Sequence, residues 1–170
     1  NKPSFFDIIS NERLVRCFHP LSLDERFPVR IVSTGLRDII MPISAPNVLE
    51  TMVPDFNEIS ILSKEMKCIG IHCFALTESD IDNASTAVCR NFAPLYGINE
   101  EAATGTSNCA LACYLHNLGI RPQRYIFEQG HNLSSVSRII VELKTDSDIL
   151  GVRVGGDGII EGILDKDIIS

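Results

Sequence analysis

The stretch Ala102-Ala-Thr-Gly-Thr-Ser-Asn-Cys-Ala-Leu-Ala-Cys-Tyr-Leu-His-Asn-Leu-Gly-Ile120 decides the fold. Its nineteen residues include no Asp, Glu, Lys or Arg. The middle, Cys109-Ala-Leu-Ala-Cys-Tyr-Leu115, is apolar on every face of a helix. A helix that is apolar all round is a buried one, because a surface helix keeps a polar stripe for water. The run is too short and too polar at both ends for a membrane span, which takes ~20 apolar residues. Thr104, Thr106 or Ser107 offers an N-cap hydroxyl. Gly119, with Pro122 soon after, supplies the stop. The pattern predicts a buried helix over about 104–118.

Outward from this helix the chain is a series of short apolar runs separated by turn residues. They predict strands over 14–18, 29–33, 38–43, 68–76, 86–92, 124–128, 136–143, 149–154 and 159–164. Pro42 places the end of the 38–43 strand at an edge or a bulge. Pro46 to Met52 reads as a short helix. Asp55 and Glu58 form a capping-box pair for a helix that buries Ile59, Leu62 and Met66. Gly155-Gly-Asp-Gly158 reads as a hairpin turn. No continuous βαβ alternation is present, which argues against a doubly wound parallel sheet. The expected fold class is α+β: a curled antiparallel β-sheet or barrel wrapped around one buried central helix.

The 170 residues suit one domain or two small lobes, with 45% hydrophobic and 22% charged residues. Fifteen Lys and Arg against 22 Asp and Glu give a net charge of −7. Without a basic run, the chain lacks the electrostatic footprint of a nucleic-acid binder. It has no membrane-spanning stretch, and its start has no long apolar region of a signal peptide. The first residue is Asn1 rather than Met, so the chain reads as processed, trimmed or part of a longer product. Cys17, Cys68, Cys73, Cys89, Cys109 and Cys113 form no CxxC pair. They read as buried thiols of a cytoplasmic protein, and no metal site is expected.

The start of the 104–118 helix is the candidate site. Its first N–H groups lack helical partners and carry a partial positive charge. The uncharged run Ala103-Thr-Gly-Thr-Ser107 lets a carboxylate or phosphate approach them. Glu100 and Glu101, just ahead, are candidates for acid/base work or for holding a substrate amine or hydroxyl. The same residues also read as a simple cap with acids favouring the helix dipole. Among the histidines, His72 lies in an apolar strand and reads as a satisfied core imidazole. His116 sits near a helix C-terminus, where a cation suits the dipole. His131 follows Glu-Gln-Gly and could approach the cleft, and His19 carries no signal.

Arg90-Asn-Phe-Ala-Pro-Leu-Tyr-Gly-Ile98 followed by Glu100-Glu-Ala-Ala-Thr-Gly-Thr-Ser107 resembles the R-x-F-A-P-x-x-G-I-x-E-D-P-A-T-G-S-A signature of the phenazine-biosynthesis (PhzF-like) isomerases. Ala110-Leu111, Tyr114-Leu115, Phe127-Glu-Gln-Gly130, Ser137-Arg-Ile-Ile-Val141, Val154-Gly-Gly156 and Gly162 follow in the family's order. Val32-Ser-Thr-Gly35 and Ile40-Met-Pro-Ile43 look like its S-T-G strand region.

The resemblance implies a diaminopimelate-epimerase-like fold. In it, two lobes each wrap a curled sheet around a central helix, and the helix N-termini meet at a cleft. It also implies cofactor-free proton transfer beside a carboxylate-bearing carbon. The phenazine enzyme isomerises a dihydro-hydroxyanthranilate. On this basis residues 1–170 are a single C-terminal lobe, with 1–20 as inter-lobe linker or first strand, and the N-terminal lobe is absent. Glu101 and Thr106 are the expected catalytic residues. Thr104, Gly105, Thr106 and Ser107 are the expected binders of a small carboxylate-bearing substrate. The family's catalytic glutamate and its C-G-H-A-T helix start have no match here. Glu101 stands where the family has Asp, Ala102 where it has Pro, and Thr106 where it has Ser. Leu133-Ser-Ser-Val-Ser137 lacks the Arg of the family's M-G-R-P-S stretch. The expected partner is the missing N-terminal lobe or a second copy of the chain. The alternative is a non-catalytic binding or assembly protein, or a homodimer of the isolated lobe.

Overall fold

Helix formation at the uncharged segment needs burial on all sides, and the remaining elements supply it. In a computed structural model the structure describes residues 2–77, 85–146 and 148–156. In chain order the elements are β1 (Ser4–Ile8), α1 (Asn11–Leu14), β2 (Phe18–His19), β3 (Arg30–Ser33), β4 (Arg37–Pro42), α2 (Pro46–Thr51), β5 (Val53–Pro54) and α3 (Phe56–Met66). They continue with β6 (Gly70–Leu76), β7 (Ala87–Ala93), β8 (Ile98–Glu101), α4 (Gly105–Asn117), β9 (Tyr125–Gln129), β10 (Ser137–Asp146) and β11 (Asp148–Gly156). The expected hairpin at 155–158 and strand at 159–164 fall wholly or partly outside the described residues.

One sheet runs in the order β1-β3-β4-β6-β7-β9-β10-β11, with β8 also paired to β7. The sheet is mixed rather than antiparallel. β4 pairs β6 in parallel, and so does β7 with β9. Both pairings follow crossovers that carry helices, α2 and α3 in the first case and α4 in the second. A parallel pair requires such a crossover. The curled sheet and its few helices make the α+β half-barrel expected from the sequence.

The central strands β4, β6 and β7 are buried on both faces, which is why they read as nearly continuous apolar runs. Alternation sorts the side chains. Val32, Ile40, Phe74, Ala87, Cys89 and Phe127 face α4, while Ile31, Ile39, Met41, Ile71, Cys73 and Phe92 face the opposite way, toward Leu49 of α2 and Ile59 and Leu62 of α3. In α4 every residue from Ser107 to Leu115 is buried. The helix closes as its glycine implies. Gly119 has φ +89°, and Gly119 N and Ile120 N donate to the carbonyls of His116 and Leu115 at 3.1 and 3.0 Å. At α3 the Asp55 carboxylate accepts from Asn57 N and Glu58 N, both at 3.0 Å. The reciprocal half of the capping box is absent, because Asp55 N donates to the Cys17 carbonyl.

Two local expectations change. Residues 14–18 are not a strand. Leu14 ends the short α1, and only Phe18–His19 pairs, against β5. The apolar positions there are spaced for a turn of helix, with Leu14, Cys17 and Phe18 buried. Pro42 lies at no sheet edge. It stands opposite Phe74 at the end of β4, a strand flanked by β3 and β6.

Replacing Leu111, fully buried in the core around α4, by Ala removes packing that no neighbour can restore. Stability should drop by about 2–5 kcal/mol, read from the urea midpoint at constant slope.

Candidate functional site

Strand β7 positions the site because two strands share one of its edges. Its first half pairs β9, with Cys89 opposite Gln129, and its second half pairs β8, with Asn91 opposite Glu101. Gln129 and Glu101 therefore arrive side by side. A bulge in the β7–β8 pairing, between Asn91 and Ala93, re-aims the chain in the way bulges do beside functional sites. Gly130 makes the exit from β9 possible. Its φ is +93°, and a Cβ there would stand 2.2 Å from the Ser135 carbonyl oxygen.

The chain leaving β8 turns into α4 at a cleft of about 460 Å³, lined by Thr34, Glu101, Ala103, Thr104, Gly105, Thr106, Cys109, Val152 and Val154. The helix's first internal bond runs from Asn108 N to the Thr104 carbonyl at 3.2 Å. The N–H groups of Gly105, Thr106 and Ser107 precede that bond and have no helical acceptor. Thr104 is the N-cap, yet its side chain caps nothing. Its hydroxyl donates instead to Glu101 Oε2 at 2.5 Å. This leaves the helix terminus open to an anion.

Glu101 is held from behind by neutral groups. Asn91 Nδ2 donates to Oε2 at 3.0 Å, and Gln129 Nε2 donates to the Glu101 carbonyl at 2.8 Å and to Thr104 Oγ1 at 3.0 Å. Asn108 Nδ2 reaches Gln129 Oε1 and the Thr104 carbonyl, both at 2.9 Å. His72 closes the cluster, its Nδ1 3.1 Å from Asn91 Oδ1 and its Nε2 3.3 Å from Asn108 Oδ1. The imidazole is fully buried, and burial pushes its pKa down to about 4.

The structure brings together Glu101, Thr104, Gly105 and Thr106 at one cleft, and separates the other residues singled out above. Ser107 lends its backbone only, since its buried hydroxyl donates to Asp38 Oδ2 at 3.0 Å. Glu100 is not free for acid/base work. Arg90 binds its two carboxylate oxygens at 2.8 and 2.9 Å and also the Leu49 and Met52 carbonyls. Such a buried, fully bonded ion pair fixes geometry more than it adds stability. His131 lies away from the cleft, paired with Glu128 at 3.2 Å and lining a separate hollow of about 160 Å³ with Glu50 and Asn132. At His116 burial and the nearby Arg121 hold the pKa down, against the expected helix-end cation. The bare face of Gly105 is turned to Val154, at 3.6 Å from where a Cβ would stand. All six cysteines are free and buried, and burial pushes the Cys109 thiol up to about 11. No cluster of three metal-ligating side chains is found among the described residues, nor a helix long and apolar enough to cross a membrane.

Sequence reasoning missed Asp38, Asn91, Asn108 and Gln129. Asp38 carried one signal, a lone acid in an apolar strand. Burial, with a smaller contribution from the Glu101 charge, raises its pKa to about 7, and the Ser107 hydroxyl opposes the rise.

The geometry has relatives. A family model described as phenazine biosynthesis-like protein matches residues 7–162. An uncharacterized isomerase of Clostridium acetobutylicum is 29% identical over 170 residues, 94% of this chain and 56% of the relative. An uncharacterized isomerase of Deinococcus radiodurans is 30% identical over 145 residues, 82% of this chain and 46% of that one. The crystal structure of a Bacillus anthracis phenazine biosynthesis protein of the PhzF family superposes with a TM-score of 0.76 at 25% identity, covering 91% of this chain and 54% of that one. A predicted epimerase from Pseudomonas aeruginosa gives 0.69 at 25% identity, covering 91% and 52%. The chain thus spans about half the length of the relatives it matches.

Asp38 imposes a measurable pH dependence. Its folded pKa lies above the ordinary 3.8, so the folded chain holds a proton that the unfolded chain releases. The Asp38 contribution to stability is complete below about pH 4 and is lost as pH rises through 7. His72 works the opposite way below its ordinary 6.5, so the wild-type profile is a sum of opposing slopes. Asp38→Asn isolates one of them. Wild-type stability minus variant stability should fall by about 4 kcal/mol between pH 4 and 8, at roughly 1.4 kcal/mol per pH unit. The check is denaturant unfolding of both proteins across that range.

Proposed function

Because this chain belongs to the phenazine biosynthesis-like family, we propose that its α4 cleft is one wall of the active site of a cofactor-free isomerase. The substrate in this reading is a small carboxylate-bearing metabolite, isomerised by proton transfer. Relatives named isomerases support the isomerase class. The single observation that carries the finer reading is the pairing of an open helix terminus with a carboxylate held at its mouth. The N–H groups of Gly105 and Thr106 take the substrate carboxylate. Glu101, whose Oε2 is occupied by Thr104 and Asn91, offers its other oxygen to the substrate's amine or hydroxyl. Thr106 is exposed on the cleft wall and brings a hydroxyl near the reacting carbon. A second lobe, covalent or separate, supplies the base on the far side of the substrate.

The experiment is solvent exchange. The protein, purified from its own source, is incubated in D₂O with dihydroaromatic and amino carboxylates, and mass spectrometry follows deuterium uptake at carbon. Uptake is expected with at least one compound. Glu101→Ala should slow it about 10²–10⁴-fold with an unchanged circular dichroism spectrum. Uptake at the wild-type rate in the variant removes Glu101 from the site, and no uptake by the wild-type protein across the panel overturns the isomerase reading. Native mass spectrometry of the same sample should find a second lobe. A lone 170-residue monomer that still exchanges deuterium overturns that part of the reading.

A further inference from the structure

We propose that His72 and Glu101 hold one proton between them, and that the Asn91 amide turns to match whichever of the two carries it. The inference comes from counting donors and acceptors, and three amides leave little freedom. Gln129 turns one end to the Glu101 carbonyl oxygen at 2.8 Å. A carbonyl only accepts, so that end is the NH₂ group. Its oxygen then faces Asn108 Nδ2 at 2.9 Å, and the same Nδ2 meets the Thr104 carbonyl at 2.9 Å. Asn108 is thereby pinned with its oxygen toward His72 Nε2, and Nε2 must carry hydrogen.

The other side of the ring is not pinned in this way. With Glu101 ionised, Asn91 Nδ2 donates to Oε2, and Asn91 Oδ1 meets His72 Nδ1 at 3.1 Å. Full bonding then requires hydrogen on Nδ1 as well, making the ring an imidazolium. Burial opposes that charge, holding the pKa down to about 4. A neutral ring has one N–H, and Asn108 claims it. Half a turn of the Asn91 amide restores every bond. Nδ2 now donates to the bare Nδ1, and Oδ1 faces Glu101 Oε2, which must then carry hydrogen. Oε2 still accepts from Thr104 in this arrangement. The two fully bonded arrangements contain the same number of protons. One O–H at Glu101 replaces one N–H at His72.

His72 is thus a positioning residue, acting on Glu101 through Asn91. The idea deepens the reading of Glu101 as a group at the substrate's polar end and rests on that reading for its catalytic meaning. Among the described residues, four further sets of groups stand around the cluster. Asp38 comes from β4, and the Glu101 charge contributes to raising its pKa. The Cys109 thiol comes from α4 and lines the cleft. Arg90 and Glu100, on β7 and β8, are tied to each other and to the α2 end. Glu128 on β9 pairs with His131.

The test needs no substrate. In protein labelled with ¹⁵N and ¹³C, NMR follows Glu101 Cδ, the His72 ring nitrogens and the Asn91 side-chain NH₂ from pH 4 to 9. The expected result is one shared midpoint at all three, with His72 Nε2 protonated throughout. In Asp38→Asn the shared midpoint survives, because the link is an amide rather than a through-space charge. In Asn91→Ala the His72 nitrogens stop following Glu101, and if that variant does not fold the wild-type titration decides alone. A Glu101 titration that leaves His72 and Asn91 unmoved overturns the proposal, as does a bare Nε2. A linked titration in protein that exchanges no deuterium refutes the isomerase reading and keeps the shared proton.

Discussion

A helix buried from Ser107 to Leu115 must still satisfy the N–H groups of its first turn, and the rest of this structure is arranged around that demand. Ser107 to Leu115 have no exposed face. Water reaches the helix beyond Leu115 and, on the cleft side, at its start. There the hydroxyl that would ordinarily cap it, on Thr104, is turned to Glu101. An open helix terminus inside a protein costs free energy unless something fills it. The structure leaves this one facing a cleft. The strands determine what else reaches the cleft. The split edge of β7 is the geometric reason that Glu101 and Gln129, 28 residues apart in sequence, share one polar cluster.

The central helix was legible because its signal is local. An uncharged segment with hydroxyls before it and glycine after it has few other readings. The α3 start was legible for the same reason, through Asp55. The parallel pairings were not, because they depend on which distant run each strand meets. Residues 38–42 and 70–74 read as two similar apolar strands, and nothing in either states that they lie side by side in the same direction. Apolar runs of five residues also do not separate a short helix from a strand, and 14–18 went the other way.

The site divides similarly. Glu101, Thr104, Gly105 and Thr106 lie within six residues and could be read from the helix start alone. Their supports come from β4, β6, β7 and β9, and only folding assembles them. Of the two adjacent acids, one belongs to the cleft and one to the scaffold. The difference lies in Arg90, ten residues upstream, which binds Glu100 on the far side of the strand. Alternation along β8 makes neighbours in sequence face opposite ways, so adjacency implied a shared role that the strand forbids.

The two hydrophobic clusters lie on opposite faces of one sheet and share few partners. The rear cluster, with α1, α2 and α3, contributes burial without supplying a single residue that lines the α4 cleft. Substitutions there and at the cleft share no residue, and free energies of substitutions without shared partners add. The rear face can therefore be repacked without touching a residue of the cleft lining. A sheet built this way can change one of its faces in small steps while the other keeps the fold.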